Sequence, residues 1–165
     1  MGTSRFLSNF TSRLDQKGRV SVPAPFRAVL TRDGFEGLYV HPALVAPALD
    51  AGGHTLLNEI DSFLSTLPPY SDERDHLSTA LLETSEILKL DPEGRVILTE
   101  SAKAHAGITE AATFVGLGHK FQIWEPQAFL AHLAQGRVRV RELKQRLGSR
   151  VVETSANSRT GARGR

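Results

Sequence analysis

The segment Leu14-Asp15-Gln16-Lys17-Gly18-Arg19-Val20 is echoed by Leu90-Asp91-Pro92-Glu93-Gly94-Arg95-Val96, 76 residues later in a chain of 165. Chance rarely writes Leu-Asp-x-x-Gly-Arg-Val twice into so short a chain. The echo marks a duplicated structural unit, and it fixes the first question about the fold: how two copies of one unit share a core.

Asp-x-x-Gly is turn chemistry. An aspartate can accept bonds from its own downstream backbone, and a glycine can take positive φ without steric cost. Each motif lies between two strand-like runs. Phe6 to Leu14 leads in and Val20-Ser21-Val22 leads out of the first. Ile87 to Leu90 leads in and Val96-Ile97-Leu98 leads out of the second. Each is read as the tip or bend of a β-hairpin. A short helix follows each, Pro23 to Thr31 and Thr99 to Ala106, with Gly34 and Gly107 as stops. Gly37 to Val40 is the next strand of the first copy. In the second, Thr113-Phe114-Val115 and Phe121 to Trp124 are joined by a Gly116-Leu117-Gly118-His119 turn. The unit is strand, turn, strand, helix, strand.

Other segments read as helices. Leu56, Leu57, Ile60, Phe63, Leu64 and Leu67 share one helical face. Pro68-Pro69 ends that helix, and Ser71 can cap another, with Leu77, Leu81 and Leu82 turned inward. Phe129, Leu130 and Leu133 mark a helix after Pro126, with a break expected at Gly136. From Gly148 the sequence is rich in Ser, Gly, Thr and Arg without large apolar periodicity, and a disordered tail is expected.

Net charge is only +2, but it is strongly segregated. Residues 1–32 carry +5, residues 33–136 carry −10, and residues 137–165 carry +7. Such segregation creates a directional field. A polyanion is drawn to the two ends and repelled by the middle. There are no cysteines, which excludes disulfides and thiolate metal sites. The N-terminus has no apolar run of the signal-peptide kind, and no segment approaches a membrane span. The expected location is cytoplasmic, in association with the nucleoid.

No catalytic constellation stands out, and no cofactor or metal is expected. The six histidines have no ligating spacing, and no H-E-x-x-H, P-loop or nucleophile-elbow motif is present. Gly116-x-Gly118 reads as a turn. The cluster Asp72, Glu73, Asp75 and His76 reads as a helix start, where acids complement the helix dipole. In both motifs the aspartate fixes the turn, and the arginine can pack or pair across a repeat or subunit boundary. Arginine can equally bind phosphate or a guanine edge. Context separates the copies. The first has Lys17 where the second has Glu93, and Arg5, Arg13, Arg27 and Arg32 surround it. The first copy is expected to bind, and the second, through Asp91, Gly94 and Arg95, to build. The tail cations from Arg137 to Arg150 read as a solvated helix face or as added attraction for phosphate.

The stretch from Asp15 to Arg27 resembles the first signature of the MraZ family. Asp91 to Leu98, Ala106-Gly107-Ile108, Phe114-Val115-Gly116 and Phe121 to Trp124 resemble the second, and the resemblance covers about residues 5–147. It implies an α+β fold of two tandem AbrB-like swapped-hairpin β units forming one pseudo-symmetric barrel with flanking helices. It also implies a transcriptional regulator of the bacterial division and cell-wall gene cluster. Such regulators assemble as ring-like homo-oligomers on direct repeats of double-stranded DNA in their own promoter. Carried onto this chain, the DNA-binding residues are Arg19 first, reading a base edge or anchoring the turn in the groove. Lys17 and Arg13 sit on phosphates, Arg27 is a neighbour, and Asp15 holds the turn. Thr99 stands where the first copy has Pro23, and Lys103 where it has Arg27, which weakens a binding role for the second copy. The expected division is 1–52 for the first repeat, 53–84 for a helical insertion, 85–147 for the second repeat with its C-terminal helix, and 148–165 for the tail. The competing readings are an antitoxin-like AbrB-fold protein that binds a partner protein, a non-specific nucleoid-associated protein, and an enzyme.

Overall fold

In the computed structural model, residues 4–160 are described, with side chains through Arg150. The chain forms two compact units, Met1–Ala128 and Phe129–Arg165. Both copies of the motif lie in the first.

The first copy supplies β1 (Asn9–Arg13), β2 (Arg19–Ser21), α1 (Ala24–Asp33), β3 (Leu38–Pro42) and β4 (Leu49–Gly52). An insertion follows, made of α2 (His54–Ser65), α3 (Asp72–Ser78) and one π-helical turn, Thr79–Glu83. The second copy then runs through β5 (Glu86–Leu88), β6 (Arg95–Ile97), α4 (Glu100–Ala106), β7 (Ala111–Gly116) and β8 (Phe121–Trp124). The element order repeats as the sequence echo requires.

Pairing shows how the copies are joined. One antiparallel sheet has the order β1-β7-β8-β4-β3-β5, and a second consists of β2 and β6 alone. The long order reads the same from either end once the copies are exchanged. Each copy's first strand pairs with the other copy's third: β1 with β7, and β5 with β3. The second strands pair with each other, and so do the fourth. The expected hairpin at Asp-x-x-Gly therefore needs correction. The strands flanking each turn do not form a hairpin ladder together. Each turn is a bend that carries the chain from the large sheet into the ribbon. The expected closed barrel is also not formed among the described residues. The β2–β6 ribbon is three residues long and pairs with neither edge strand, so the large sheet stays open.

One core serves both copies. Val20, Val22, Phe26 and Leu30 are buried with their counterparts Val96, Leu98, Ala102 and Ala106. The copies are most unequal where Phe26 stands opposite Ala102, and Leu30 likewise outweighs Ala106. Phe26 stands edge-on to Phe6 and Phe10, at 5.3 and 5.5 Å, and 4.8 Å from Phe121.

Local rules explain the helices. Pro25 lies in the first turn of α1, and Gly34 closes it at φ 68°. Thr99 accepts from the Ala102 N–H to cap α4, which ends at Gly107. Ser71 caps α3 in the same way, and Asp72, Glu73 and Asp75 fill its first turn as dipole complements. Asp33 at the end of α1 accepts from the His54 N–H and so anchors the insertion to the first copy. Two expectations for the insertion fail in part: Phe63 and Leu82 are half exposed, while Leu56, Ile60, Leu64 and Leu81 are buried.

The second unit is helical. α5 runs Pro126–Thr160, with no break at Gly136 or Gly148. The backbone is helical where a disordered tail is expected, as far as Thr160; residues 161–165 lie outside the described residues. Among the described residues, no helix is long and apolar enough to cross a membrane.

Candidate nucleic-acid interface

The two turns are built alike. Asp15 Oδ1 accepts the backbone N–H groups of Lys17 and Arg19, both at 2.9 Å, and Oδ2 accepts Arg19 Nε at 2.6 Å. Asp91 Oδ1 accepts from the N–H groups of Glu93 and Arg95 at 2.9 Å, and Oδ2 from Arg95 Nε at 2.8 Å. Gly18 and Gly94 each stand at φ 78°, where a side chain is strained. The motif is thus a self-contained device: aspartate orders the turn, glycine permits it, and arginine is oriented by the aspartate's second oxygen. These bonds favour the charged form of both carboxylates. The backbone N–H of Arg19 chiefly holds Asp15 below the usual carboxylate range, and that of Arg95 does the same for Asp91. Arg95 is itself shifted up, first by its bond to Asp91.

The surroundings divide the two arginines. Arg95 is boxed in by acids: Asp91 at Nε, Glu93 at Nη2 at 2.8 Å, and Asp15 of the first turn at 3.9 Å from Nη1. Among the described residues, Arg19 pairs with Asp15 alone, through Nε. Its Nη edge therefore remains the donor edge for a ligand. Lys17 is exposed in the same turn and Arg13 is exposed at the end of β1, and neither forms an ion pair among the described residues. Asp15 is shared, holding its own turn and reaching Arg95 of the other.

Arg27 is placed differently from the expectation of a plain neighbour. It is half-buried, donates from Nε to the Val22 carbonyl at 3.1 Å, and lies over Gly94 of the second turn. A Cβ at Gly94 would fall 2.5 Å from Arg27 Nε. The counterpart contact is looser, with Lys103 Nζ 3.9 Å from the Cβ position of Gly18 and bound to Glu100. Each helix thus sets its basic residue over the other copy's turn glycine.

Sequence reasoning missed a second polar cluster that spans both copies. Asp50 on β4 accepts from Lys120 Nζ at 3.0 Å and from Gln122 Nε2 at 2.9 Å. Gln122 accepts in turn from Trp124 Nε1 at 3.0 Å. Buried His41 lies 3.7 Å from Asp50 through Nε2, and its Nδ1 is 2.9 Å from the Pro42 carbonyl. The register that pairs Asp50 with Gln122 was the only signal, and it is invisible without the β4–β8 pairing. Among the described residues, no group of three His, Asp or Glu side chains could hold a metal ion.

A duplicated α+β chain, with its strands exchanged between copies and one turn cationic, is the class that fold and site define. Residues 81–150 match a family described as "MraZ protein, putative antitoxin-like". The chain is 64% identical over 152 residues to the transcriptional regulator MraZ of Beijerinckia indica subsp. indica, covering 92% of this chain and 93% of that protein. It is 65% identical over 151 residues to that of Methylocella silvestris, covering 92% of each. It is 43% identical over 128 residues to that of Rickettsia akari, covering 78% of this chain and 86% of that one. The chain belongs to the MraZ family.

Proposed function

We propose that the chain is a sequence-specific DNA-binding transcriptional regulator, acting on the division and cell-wall gene cluster through direct repeats in its own promoter. Its relatives are named transcriptional regulators. The observation that carries the reading is the inequality of two otherwise identical turns: Arg95 is enclosed by three carboxylates, and Arg19 keeps its Nη edge. Arg19 enters the groove, held at the correct angle by Asp15. Lys17 and Arg13 take phosphates, which fixes register without reading sequence. Arg27 is a positioning residue that adds positive charge behind the turn and clamps the partner turn. The exchange of strands between the copies supports reading the fold as an AbrB-like swapped-hairpin arrangement within one chain.

The protein works as a ring-like homo-oligomer on the nucleoid. Head-to-tail contacts close into rings, and a ring presents one basic turn per subunit to successive repeats. The test is a gel shift with DNA from directly upstream of the gene, run across a salt series against random DNA. Specific retention at moderate salt is expected. Equal binding to both DNAs at every salt leaves only a charged nucleoid protein. The family description also keeps an antitoxin-like reading in play. A small protein that co-purifies in fixed ratio and blocks no DNA binding would move the function there.

A further inference from the structure

The ribbon that carries Arg19 is built by both copies. β2 and β6 are antiparallel, and their register sets Arg19 opposite Ile97, Val20 opposite Val96 and Ser21 opposite Arg95. Side chains alternate across a strand. Val20 and Val96 turn inward and are each 1% exposed. Arg19, Ser21, Arg95 and Ile97 therefore share the outer face. Directly opposed residues of an antiparallel pair hold their Cβ atoms about 4.5–5.5 Å apart. Ile97 is thus the side-by-side neighbour of Arg19, although it belongs to the other copy.

Ile97 is 57% exposed. A single exposed isoleucine is ordinary in itself; its place is not. The offset between the copies makes Ser21 its counterpart, and Ser21 stands beside Arg95. The arginine enclosed by acids has a serine for its neighbour, and the arginine that keeps its Nη edge has a bare isoleucine. The inequality of the turns therefore extends into the ribbon between them. Asp91 and Glu93 are both bound to Arg95 at 2.8 Å. The strand bearing Ile97 thus meets an anion with the carboxylates of its own turn already paired.

The major groove of B-DNA is about 12 Å wide and admits a two-stranded ribbon. The apolar group that a base edge presents there is the 5-methyl of thymine. An arginine on guanine and an aliphatic side chain on a thymine methyl are adjacent contacts of different chemistry. Hydrogen bonds select the guanine, and removal of apolar area from water selects the thymine. A serine in the same place bonds to more than one kind of base edge and selects less sharply.

We propose that Ile97 reads the 5-methyl group of a thymine in the base pair next to the one contacted by Arg19, so that the specificity site is assembled from both repeats. This rests on the function proposed above, in which Arg19 enters the groove. The second copy then does more than build. Its turn holds Arg95 among acids, and the strand leaving that turn touches DNA. The division between binding and building falls within one ribbon, residue by residue, and not between the repeats.

The methyl group can be removed without touching the protein. In duplexes of the DNA directly upstream of the gene, each thymine of a repeat is replaced singly by uracil. Affinity is measured by gel shift for the unsubstituted full-length chain, for Ile97→Ala and for Ile97→Ser, which copies the first repeat. One replacement is expected to weaken the unsubstituted chain about fourfold, the worth of one methyl group removed from water. Both variants are expected to bind natural DNA at least that much more weakly, to be indifferent to uracil at that position, and to keep their assembly by light scattering. A repeat in which no thymine matters to the unsubstituted chain overturns the proposal. So does a sensitive thymine that stays equally sensitive in the variants. Smaller species in the variants assign the isoleucine to a contact between subunits and overturn it as well. Specific binding that Arg19→Ala removes, with no methyl effect, overturns the role of Ile97 alone. An unsubstituted chain that holds upstream and random DNA equally overturns the proposed function with it.

Discussion

Asp15 and Asp91 show how one carboxylate can decide both a turn and the direction of an arginine. Each accepts two backbone N–H groups and one guanidinium N–H. That much was legible in the sequence, because Asp-x-x-Gly-Arg sets the donors at fixed offsets. The asymmetry was legible in outline from Lys17 against Glu93. What the sequence did not hold was the reach of Arg95 to Asp15, or the seat of Arg27 over Gly94, since both depend on pairing between the two copies, far apart in the chain. The lowered pKa values carry a stability consequence. A carboxyl favoured in its charged form by the fold stabilises above the ordinary carboxylate range, and that contribution is lost as pH falls through the folded value. The melting temperature is expected to fall as pH drops from about 5 to about 3, the range around the unperturbed Asp pKa. The double variant Asp15→Asn, Asp91→Asn melts lower at neutral pH and with a shallower pH slope. An unchanged slope in circular-dichroism melts would show that other carboxylates carry the acid sensitivity.

At the scale of elements, the duplication was readable in the residues themselves, whereas an exchange of strands was implied only by the family resemblance. Helix boundaries followed capping chemistry at Thr99, Gly34, Gly107 and Ser71. Strand partners did not follow, because a run such as Arg19–Ser21 has no sequence mark for which ladder it joins. β4, Leu-Asp-Ala-Gly, was not foreseen: it lacks β-branched residues and buries Asp50, and tertiary pairing with Gln122 and Lys120 outweighs its low propensity. Two variants test the shared core and the crossed contacts. Gly94→Ala is expected to cost more than Gly18→Ala. Both meet strain at positive φ, of about 1–2 kcal/mol, but only Gly94 must also displace the Arg27 guanidinium. Urea unfolding of the two decides it, and equal losses would mean that Arg27 moves aside freely. Phe26→Ala removes the ring that three other phenylalanines pack against, and a loss of about 3–5 kcal/mol is expected. Ala102→Gly, at the matching place, should cost far less by the same measurement.

Over the whole molecule, charge is distributed by task. In the proposed function the cationic first repeat faces the DNA, the acidic insertion is turned away from it, and the basic α5 supplies a second cationic element. Salt is therefore expected to weaken the proposed DNA binding. The central claim is narrower: two turns with the same bonds have different jobs, because one arginine is surrounded by acids and the other is not. Its most direct test compares Arg19→Ala with Arg95→Ala on upstream DNA at one moderate salt concentration. Each variant is first shown by light scattering to keep the assembly of the unsubstituted chain. The account predicts that Arg19→Ala loses about tenfold to a hundredfold in specific affinity, the range of one bidentate base contact, while Arg95→Ala stays within about twofold and loses thermal stability instead. Equal loss of affinity in the two variants, or a larger loss for Arg95→Ala, would contradict it.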